Sequence, residues 1–410
     1  MVIKFRLRQA FLLSLLLLVL QVTAQVEPIA NGKKKFLGNV YSSAQLPGFT
    51  SYWNQVTPEN GGKWGSVERT KDVMNWNELD AAYKLAKDNG FPFKLHVLIW
   101  GSQQPSWIEN MTATEQYNQI EEWFLKLAER YPSMDQIEVV NEPLHQPPTG
   151  AGKGNYSEAL GGSGQSGWDW VITAFRMARQ IFPNAQLLIN DYGIINDGNA
   201  VNRYITIINL LKKEELIDAI GFQGHAFNTG ASSATLKANL DKLATIGLPV
   251  FVTELDIDGP TDQVQLDDYK RIFPIFWEHS AVQGITLWGY RPGLWRNTQK
   301  AYLINPDGSE RPSLKWLREY VQGSFVSVDE LRNSPDIVVY PNPVLNNEIH
   351  FDGIETIKSV HLYHLSGKLI KTQATNFEST MIFEMDVQPG MYLLQFYDGI
   401  NVFNRKVVVK

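Results

Sequence analysis

Two stretches decide the fold: Ile137-Glu138-Val139-Val140-Asn141-Glu142-Pro143 and Val250-Phe251-Val252-Thr253-Glu254-Leu255-Asp256. Each is a short, mostly apolar run that reads as a strand and ends on a glutamate. Pro143 stops the first run, because it has no N–H to offer a neighbouring strand. Working outward, similar runs recur at Phe36–Val40, Gln55–Thr57, Phe93–Trp100, Gln136–Val140, Gln186–Asn190, Ile217–Gln223, Pro249–Thr253 and Gly284–Trp288. Between them lie stretches with apolar residues at helical spacing: Trp76–Asn89, Glu115–Arg130, Gly167–Phe182, Gly198–Glu214 and Ser233–Ala244. Strand alternating with helix predicts a parallel α/β architecture. Eight strands over roughly 285 residues fit a (β/α)₈ TIM barrel better than an open doubly wound sheet. No glycine-rich phosphate fingerprint follows the first strand, which weakens a dinucleotide-binding reading. The Gly- and Ser-rich stretch 150–167 falls after the fourth strand, as either a rim loop that shapes a site or a plain flexible connection.

The flanks read differently. Lys4, Arg6 and Arg8 precede the apolar run Ala10–Leu20, and Val22-Thr23-Ala24 supplies small residues after it. That is the layout of a secretory signal peptide over 1–24, with an uncleaved N-terminal anchor as the alternative. Residues 324–336 read as a polar linker. Beyond them, strand-like runs at Ile337–Tyr340, Ser359–His364, Met381–Met385, Met391–Tyr397 and Val402–Val409 predict a small all-β sandwich over 337–410. The barrel is expected over 30–323.

The 410 residues are 44% hydrophobic and 20% charged, an ordinary globular composition, with a formal net charge of −6. Nucleic acid is not expected as a partner, since a phosphate-binding surface needs an excess of Lys and Arg. There is no cysteine, so disulfides, thiol nucleophiles and cysteine-held metals are excluded. The seven His are dispersed, and neither a metal nor another cofactor is expected. The chain is 12% aromatic, which suits either a rich core or stacking platforms for a flat ligand such as a sugar ring. A secreted or cell-surface monomer is the expected state.

A barrel enzyme draws its chemistry from the C-terminal ends of its strands. Glu142 and Glu254 end the fourth and seventh strands, on opposite sides of the barrel mouth. Two facing carboxyls, one protonated and one ionised, are what glycoside hydrolysis uses; retention of configuration requires them about 5–5.5 Å apart. Taken singly, each glutamate could be an ordinary polar strand end.

Several segments, in order, resemble glycoside hydrolase family 10, the xylanase family. They are Tyr52 to Trp64 with Pro58-Glu59-Asn60-Gly61-Gly62-Lys63, His96 to Pro105, Asn141-Glu142-Pro143, Gly221-Phe222-Gln223-Gly224-His225, Thr253-Glu254-Leu255-Asp256, and Gly284 to Gly289 with Trp295-Arg296. The resemblance runs from about Lys35 to Tyr320. It implies a (β/α)₈ barrel that cleaves β-1,4-xylan by double displacement, with Glu142 as general acid/base and Glu254 as nucleophile. It further implies sugar contacts from Glu59, Asn60, Lys63, His96, Trp100, Gln103, Asn141, Gln223, His225, Trp288 and Trp295. Glu59, Asn60 and Lys63 would serve the glycone subsites, and His225 and Gln223 would hold the nucleophile. Trp100, Trp288 and Trp295 would wall the cleavage subsite.

The sequence departs from the family pattern at several places. Ile137-Glu138 stands where Trp-Asp is frequent, Lys94-Leu95 where Arg-Gly is frequent, and Gly101 where His is usual. Gly61-Gly62 replaces bulkier residues, and the loop Tyr290-Arg291-Pro292-Gly293 is unusual. These leave open another β-linked or mixed-linkage glycan, or a catalytically silent glycan-binding barrel. The C-terminal piece, through Tyr340-Pro341-Asn342-Pro343, Leu365-Ser366-Gly367-Lys368, Pro389-Gly390-Met391-Tyr392 and the basic end Arg405–Lys410, resembles a type IX secretion sorting domain. That implies the type IX machinery as a partner; the competing reading is a carbohydrate-binding module, disfavoured by the absence of Trp there.

Overall fold

The computed structural model describes residues 27–150, 152–323, 337–344, 346–364, 368–399 and 402–410. The expected signal peptide, the expected linker and the Leu365-Ser366-Gly367 part of the sorting motif lie outside the described residues. The chain divides into two compact units, Met1–Gln322 and Gly323–Lys410.

The first unit is a parallel barrel. Its strands are β1 (Phe36–Tyr41), β2 (Val56–Pro58), β3 (Lys94–Leu95), β4 (Gln136–Asn141), β5 (Gln186–Asn190), β6 (Ala219–Gly224), β7 (Val250–Leu255) and β8 (Val282–Leu287). They pair in the order β2-β1-β8-β7-β6-β5-β4-β3. A parallel bridge between Val56 and Phe93 brings the two ends of that order together. Every residue of β4, β6 and β7 is buried, as expected of strands covered on both faces. The third strand is shorter than the apolar run suggests: regular pairing stops at Leu95 and resumes when Leu98 and Ile99 donate to Glu138 and Val139 of β4. That break surrounds His96.

The helices are α1 (Trp64–Val67), α2 (Asn77–Asp88), α3 (Ala113–Arg130), α4 (Asp169–Ile181), α5 (Gly198–Lys213), α6 (Ser233–Ala244), α7 (Asp262–Trp277) and α8 (Pro312–Gln322). α3 begins two residues before the expected Glu115, because Thr112 and Glu115 form a reciprocal capping box. Asp197 caps α5 and Ser232 caps α6. α1, α7 and α8 were not anticipated; Pro274 interrupts the helical pattern of α7 near its end.

The second unit has two antiparallel sheets. One holds β9 (Val338–Tyr340), β10 (Glu348–Asp352) and β13 (Thr380–Glu384); the other holds β11 (Ser359–His364), β12 (Leu369–Ala374), β14 (Gly390–Tyr397) and β15 (Val402–Val409). Their inner faces share one core, including Phe351 and Phe383 from the first sheet and Leu362, Leu394 and Phe396 from the second. β10 and β12 are additional to the expected runs. β12 is mostly exposed, so it carries little of the apolar signal that marks a strand.

Candidate active site

The thirteen residues picked from the sequence all line one cleft of about 320 Å³ at the C-terminal rim of the barrel, together with Tyr192 and Phe227. Glu142 and Glu254 are both nearly buried, but they are held differently.

Glu142 follows β4 with a left-handed backbone, φ 56°. Its Oε1 accepts from Gln223 Nε2 at 2.8 Å and Asn141 Nδ2 at 3.3 Å, and its Oε2 accepts from Trp100 Nε1 at 2.9 Å. Burial pushes the Glu142 pKa up to about 7; the Gln223 and Trp100 hydrogen bonds oppose this, and the nearby Glu254 and Asp191 charges reinforce it. A carboxyl that keeps its proton near neutrality is a competent general acid.

Glu254 sits on β7. Its Oε1 accepts from Asn190 Nδ2 at 2.9 Å, and its Oε2 faces His225 Nε2 at 3.1 Å. His225 in turn meets Asp256 through Nδ1 at 2.6 Å. Burial alone would lower the His225 pKa, but Asp256 and Glu254 outweigh it and raise the value to about 10. His225 is therefore a cation that donates from both nitrogens, one of them to Glu254. A register shift between Phe222 and Gln223 sets Gln223 opposite Glu254 across β6 and β7. Gln223 nevertheless donates to Glu142 and, at 3.3 Å, to Asn141, not to Glu254. The expectation that Gln223 holds the nucleophile is thus corrected: Asn190 from β5 takes that place, steadied by Thr253 Oγ1 at 2.6 Å. Trp100, expected only as an apolar wall, also supplies a donor to Glu142.

Around the pair, Lys63 Nζ donates to Asn60 Oδ1 at 2.9 Å and Gln103 Oε1 at 3.1 Å, and lies 5.4 Å from the Trp100 ring centre. Glu59, Asn60, Lys63, His96 and Gln103 make a polar end on the β2–β3 side. Trp288 is buried, with its ring edge-on to His96 at 5.2 Å. Trp295 is half exposed and donates through Nε1 to Asp256 Oδ2 at 3.0 Å.

Among the described residues, His96, Glu138 and Glu254 offer ligand atoms within 4.8 Å of one another. Lys94 already brings a cation there, donating to Glu138 Oε1 and, at 3.2 Å, to the Thr253 carbonyl. A metal ion would have to displace that ammonium.

The residues missed from the sequence include Asn190, Tyr192 and Phe227. Asn190-Asp191-Tyr192 closes β5 as Asn141-Glu142 closes β4, and a polar cluster at a strand end was a readable signal. Phe227 is one apolar residue in a turn and carried none.

Residues 27–320 match Glycosyl hydrolase family 10. The chain belongs to that family. Residues 338–410 match the Secretion system C-terminal sorting domain, which directs export to the cell surface or the extracellular space. The family 10 chain is 39% identical over 289 residues to endo-1,4-beta-xylanase B of Cellvibrio japonicus, covering 69% of this chain and 45% of that one. It is 33% identical to endo-1,4-beta-xylanase 3 of Hypocrea jecorina, covering 63% of this chain and 73% of that one. The chain thus spans less than half the length of the Cellvibrio relative. In fold it resembles the crystal structure of native xylanase 10B from Thermotoga maritima, with a TM-score of 0.63 at 23% identity over 73% of this chain and 98% of that one.

Two of the departures from the family 10 pattern meet in space. Lys94 and Glu138, in place of Arg and Asp, form a buried ion pair, and Glu138 Oε2 meets His96 Nδ1 at 2.6 Å. Burial pushes the Glu138 carboxyl up, but Lys94 and His96 outweigh it and hold it below the usual range. A shorter base thus meets a longer acid. Gly62 packs tightly against the third strand: a Cβ there would lie 2.4 Å from the His96 carbonyl oxygen, 2.9 Å from Pro58 Cγ and 3.2 Å from Leu95 Cδ1. At Gly101, where His is usual, a Cβ would lie 2.2 Å from the Pro147 carbonyl oxygen. The loop after β4 occupies the room that a side chain there would need.

Proposed function

We propose that this chain is a retaining endo-1,4-β-xylanase exported through its C-terminal domain, with Glu142 as acid/base and Glu254 as nucleophile. The observation that carries the reading is the contrast between the two glutamates: one protonated near neutrality by burial, the other held by Asn190 and the His225 cation. In the first step Glu254 attacks the anomeric carbon while the glycosidic C–O bond breaks, and the Glu142 proton passes to the leaving oxygen. A glycosyl ester on Glu254 results. Esterification removes the Glu254 charge, so Glu142 falls in pKa and becomes the base. It takes a proton from water, whose oxygen attacks the anomeric carbon from the vacated face; the ester bond breaks and the β configuration returns. Asn141, beside the pair, is placed to bond the 2-hydroxyl of the sugar at the cleavage point, a contact that tightens in the transition state.

Xylose over glucose is the favoured substrate on the aromatic closure around the cleavage subsite. Trp288 packed against His96, with Trp100 beside it, leaves little room for the extra hydroxymethyl group of a hexose. The test is a product profile on pure xylans, glucans and mannans: release of xylo-oligosaccharides from xylan with little from the others supports the assignment. Predominant cleavage of a hexose polymer replaces it. Deleting residues 324–410 should leave hydrolysis by the purified protein intact and abolish export; loss of hydrolysis would count against a sorting role.

A further inference from the structure

Glu142 carries its carboxyl on a backbone that L residues seldom adopt, with φ 56°. A glutamate does not hold the left-handed conformation unaided, because its Cβ crowds the following carbonyl oxygen. Main-chain bonds supply part of the support. Glu142 N donates to the Asn190 carbonyl at 2.7 Å, and the Glu142 carbonyl accepts from His145 N at 3.1 Å and Gln146 N at 2.7 Å. These bonds close a turn directly after β4. One carboxylate from the neighbouring strand end, Asp191, ties that turn down.

Asp191 directly follows β5 and is fully buried. Its Oδ2 accepts from Leu144 N at 2.8 Å, inside the turn. Its Oδ1 accepts from Tyr192 N at 2.8 Å and meets His145 Nδ1 at 2.7 Å. An ionised carboxylate only accepts, so His145 Nδ1 is its third donor. The imidazole is stacked on the Tyr192 ring at 4.0 Å, which limits its rotation. The Asp191 main chain is fixed as well. Its carbonyl accepts from Gln223 N at 2.9 Å, and Gln223 Nε2 is the closest donor to the Glu142 carboxyl, at 2.8 Å. Asp191 thus joins the turn after Glu142 to the strand that carries Gln223. The hydrogen bonds described for the Glu142 carboxyl come from Gln223, Trp100 and Asn141, so Asp191 acts on it through the backbone.

We propose that Asp191, with His145 as its partner, is a positioning residue for the acid/base: it holds the left-handed turn at Glu142 and so keeps the Glu142 proton in line with the leaving oxygen. A general acid works only within hydrogen-bond reach of the atom it protonates. Misplacing such a group by about an ångström can cost roughly a hundredfold in rate.

The inference rests on the reading of Glu142 as general acid, and its test separates the two. Phenol needs the acid's proton to leave; 2,4-dinitrophenolate does not. Full-chain wild type and Asp191→Asn are compared by kcat/KM on phenyl and 2,4-dinitrophenyl xylobioside. In Asp191→Asn the value for the phenyl substrate should fall about ten- to hundredfold, and that for the dinitrophenyl substrate less than about threefold. His145→Ala removes one donor of three and should give a smaller bias of the same sign. His145→Gln, which keeps an N–H donor, should recover much of it. Equal losses on both substrates would make Asp191 a general support of the barrel rim, and unchanged values would leave it no role in placing the acid; either result overturns the proposal. If Asp191→Asn does not fold, His145→Ala decides, and the absence of a bias there is equally fatal. Glu142→Ala is the benchmark. If it shows no bias towards the dinitrophenyl substrate, the acid assignment itself fails; if it shows the bias and Asp191→Asn does not, only the positioning role fails.

Discussion

The protonation of Glu142 can be moved by one side chain that never touches the reacting carbon. Gln223→Met removes the 2.8 Å donor to Glu142 Oε1 and keeps the side chain's length. Trp100 at 2.9 Å and Asn141 at 3.3 Å remain as donors, and Asn141 is still held by Asn190 at 3.0 Å. A hydrogen bond to a charged group contributes about 1.5–3 kcal/mol, and one to a neutral acceptor about half as much. Losing the Gln223 bond therefore disfavours the carboxylate over the carboxylic acid by roughly 0.7–1.5 kcal/mol. At about 1.4 kcal/mol per pH unit, the Glu142 pKa rises by roughly half to one unit from its value of about 7. Glu142 must carry its proton in the free enzyme, so kcat/KM falls as pH rises through that pKa. The alkaline limb should shift to higher pH by the same amount. Phenyl xylobioside is the substrate of choice, because phenol is a poor leaving group that needs the proton. If the alkaline limb stays where it is, or moves to lower pH, the account of how Glu142 is tuned is wrong.

Other outcomes follow from the same geometry. Glu142→Ala should lower kcat on phenyl xylobioside by roughly 10²–10⁴, and added azide should restore turnover with a β-glycosyl azide as product; an α-azide would reverse the two roles. His225 has a folded pKa of about 10, above its unfolded value of about 6.5. Its contribution to stability is complete below about pH 6.5 and is lost as pH rises towards 10. The gap in Tm between wild type and His225→Gln should narrow over that range; a widening gap would contradict the cationic assignment. Lys94→Ala leaves the Glu138 carboxylate buried without its base and should destabilise by about 3–5 kcal/mol in denaturant unfolding. The double exchange Lys94→Arg with Glu138→Asp should recover most of it, and equal stability of Lys94→Ala and wild type would dismiss the pair.

The sequence by itself determined the barrel, because alternating apolar strands and amphipathic helices leave few other ways to bury both faces of a parallel sheet. It also placed Glu142 and Glu254, since residues at the C-terminal ends of barrel strands converge whatever the loops do. Two strands of the C-terminal unit and helices α1, α7 and α8 escaped it. The exposed β12 and the proline-interrupted α7 carry weak periodic signals. Only the tertiary structure decided which side chain serves which glutamate. Gln223 and Asn190 are both amides at strand ends; Gln223 stands opposite Glu254 in register yet donates to Glu142, and Asn190 reaches Glu254 from β5. The departures Lys94 and Glu138 looked unrelated along the chain. They proved to be partners in one buried ion pair, because buried charge constrains neighbours in space and sequence distance does not record that adjacency. Phe227 shows the same limit most plainly: one phenylalanine in a turn says nothing until the fold sets it beside Tyr192, His225 and Trp295.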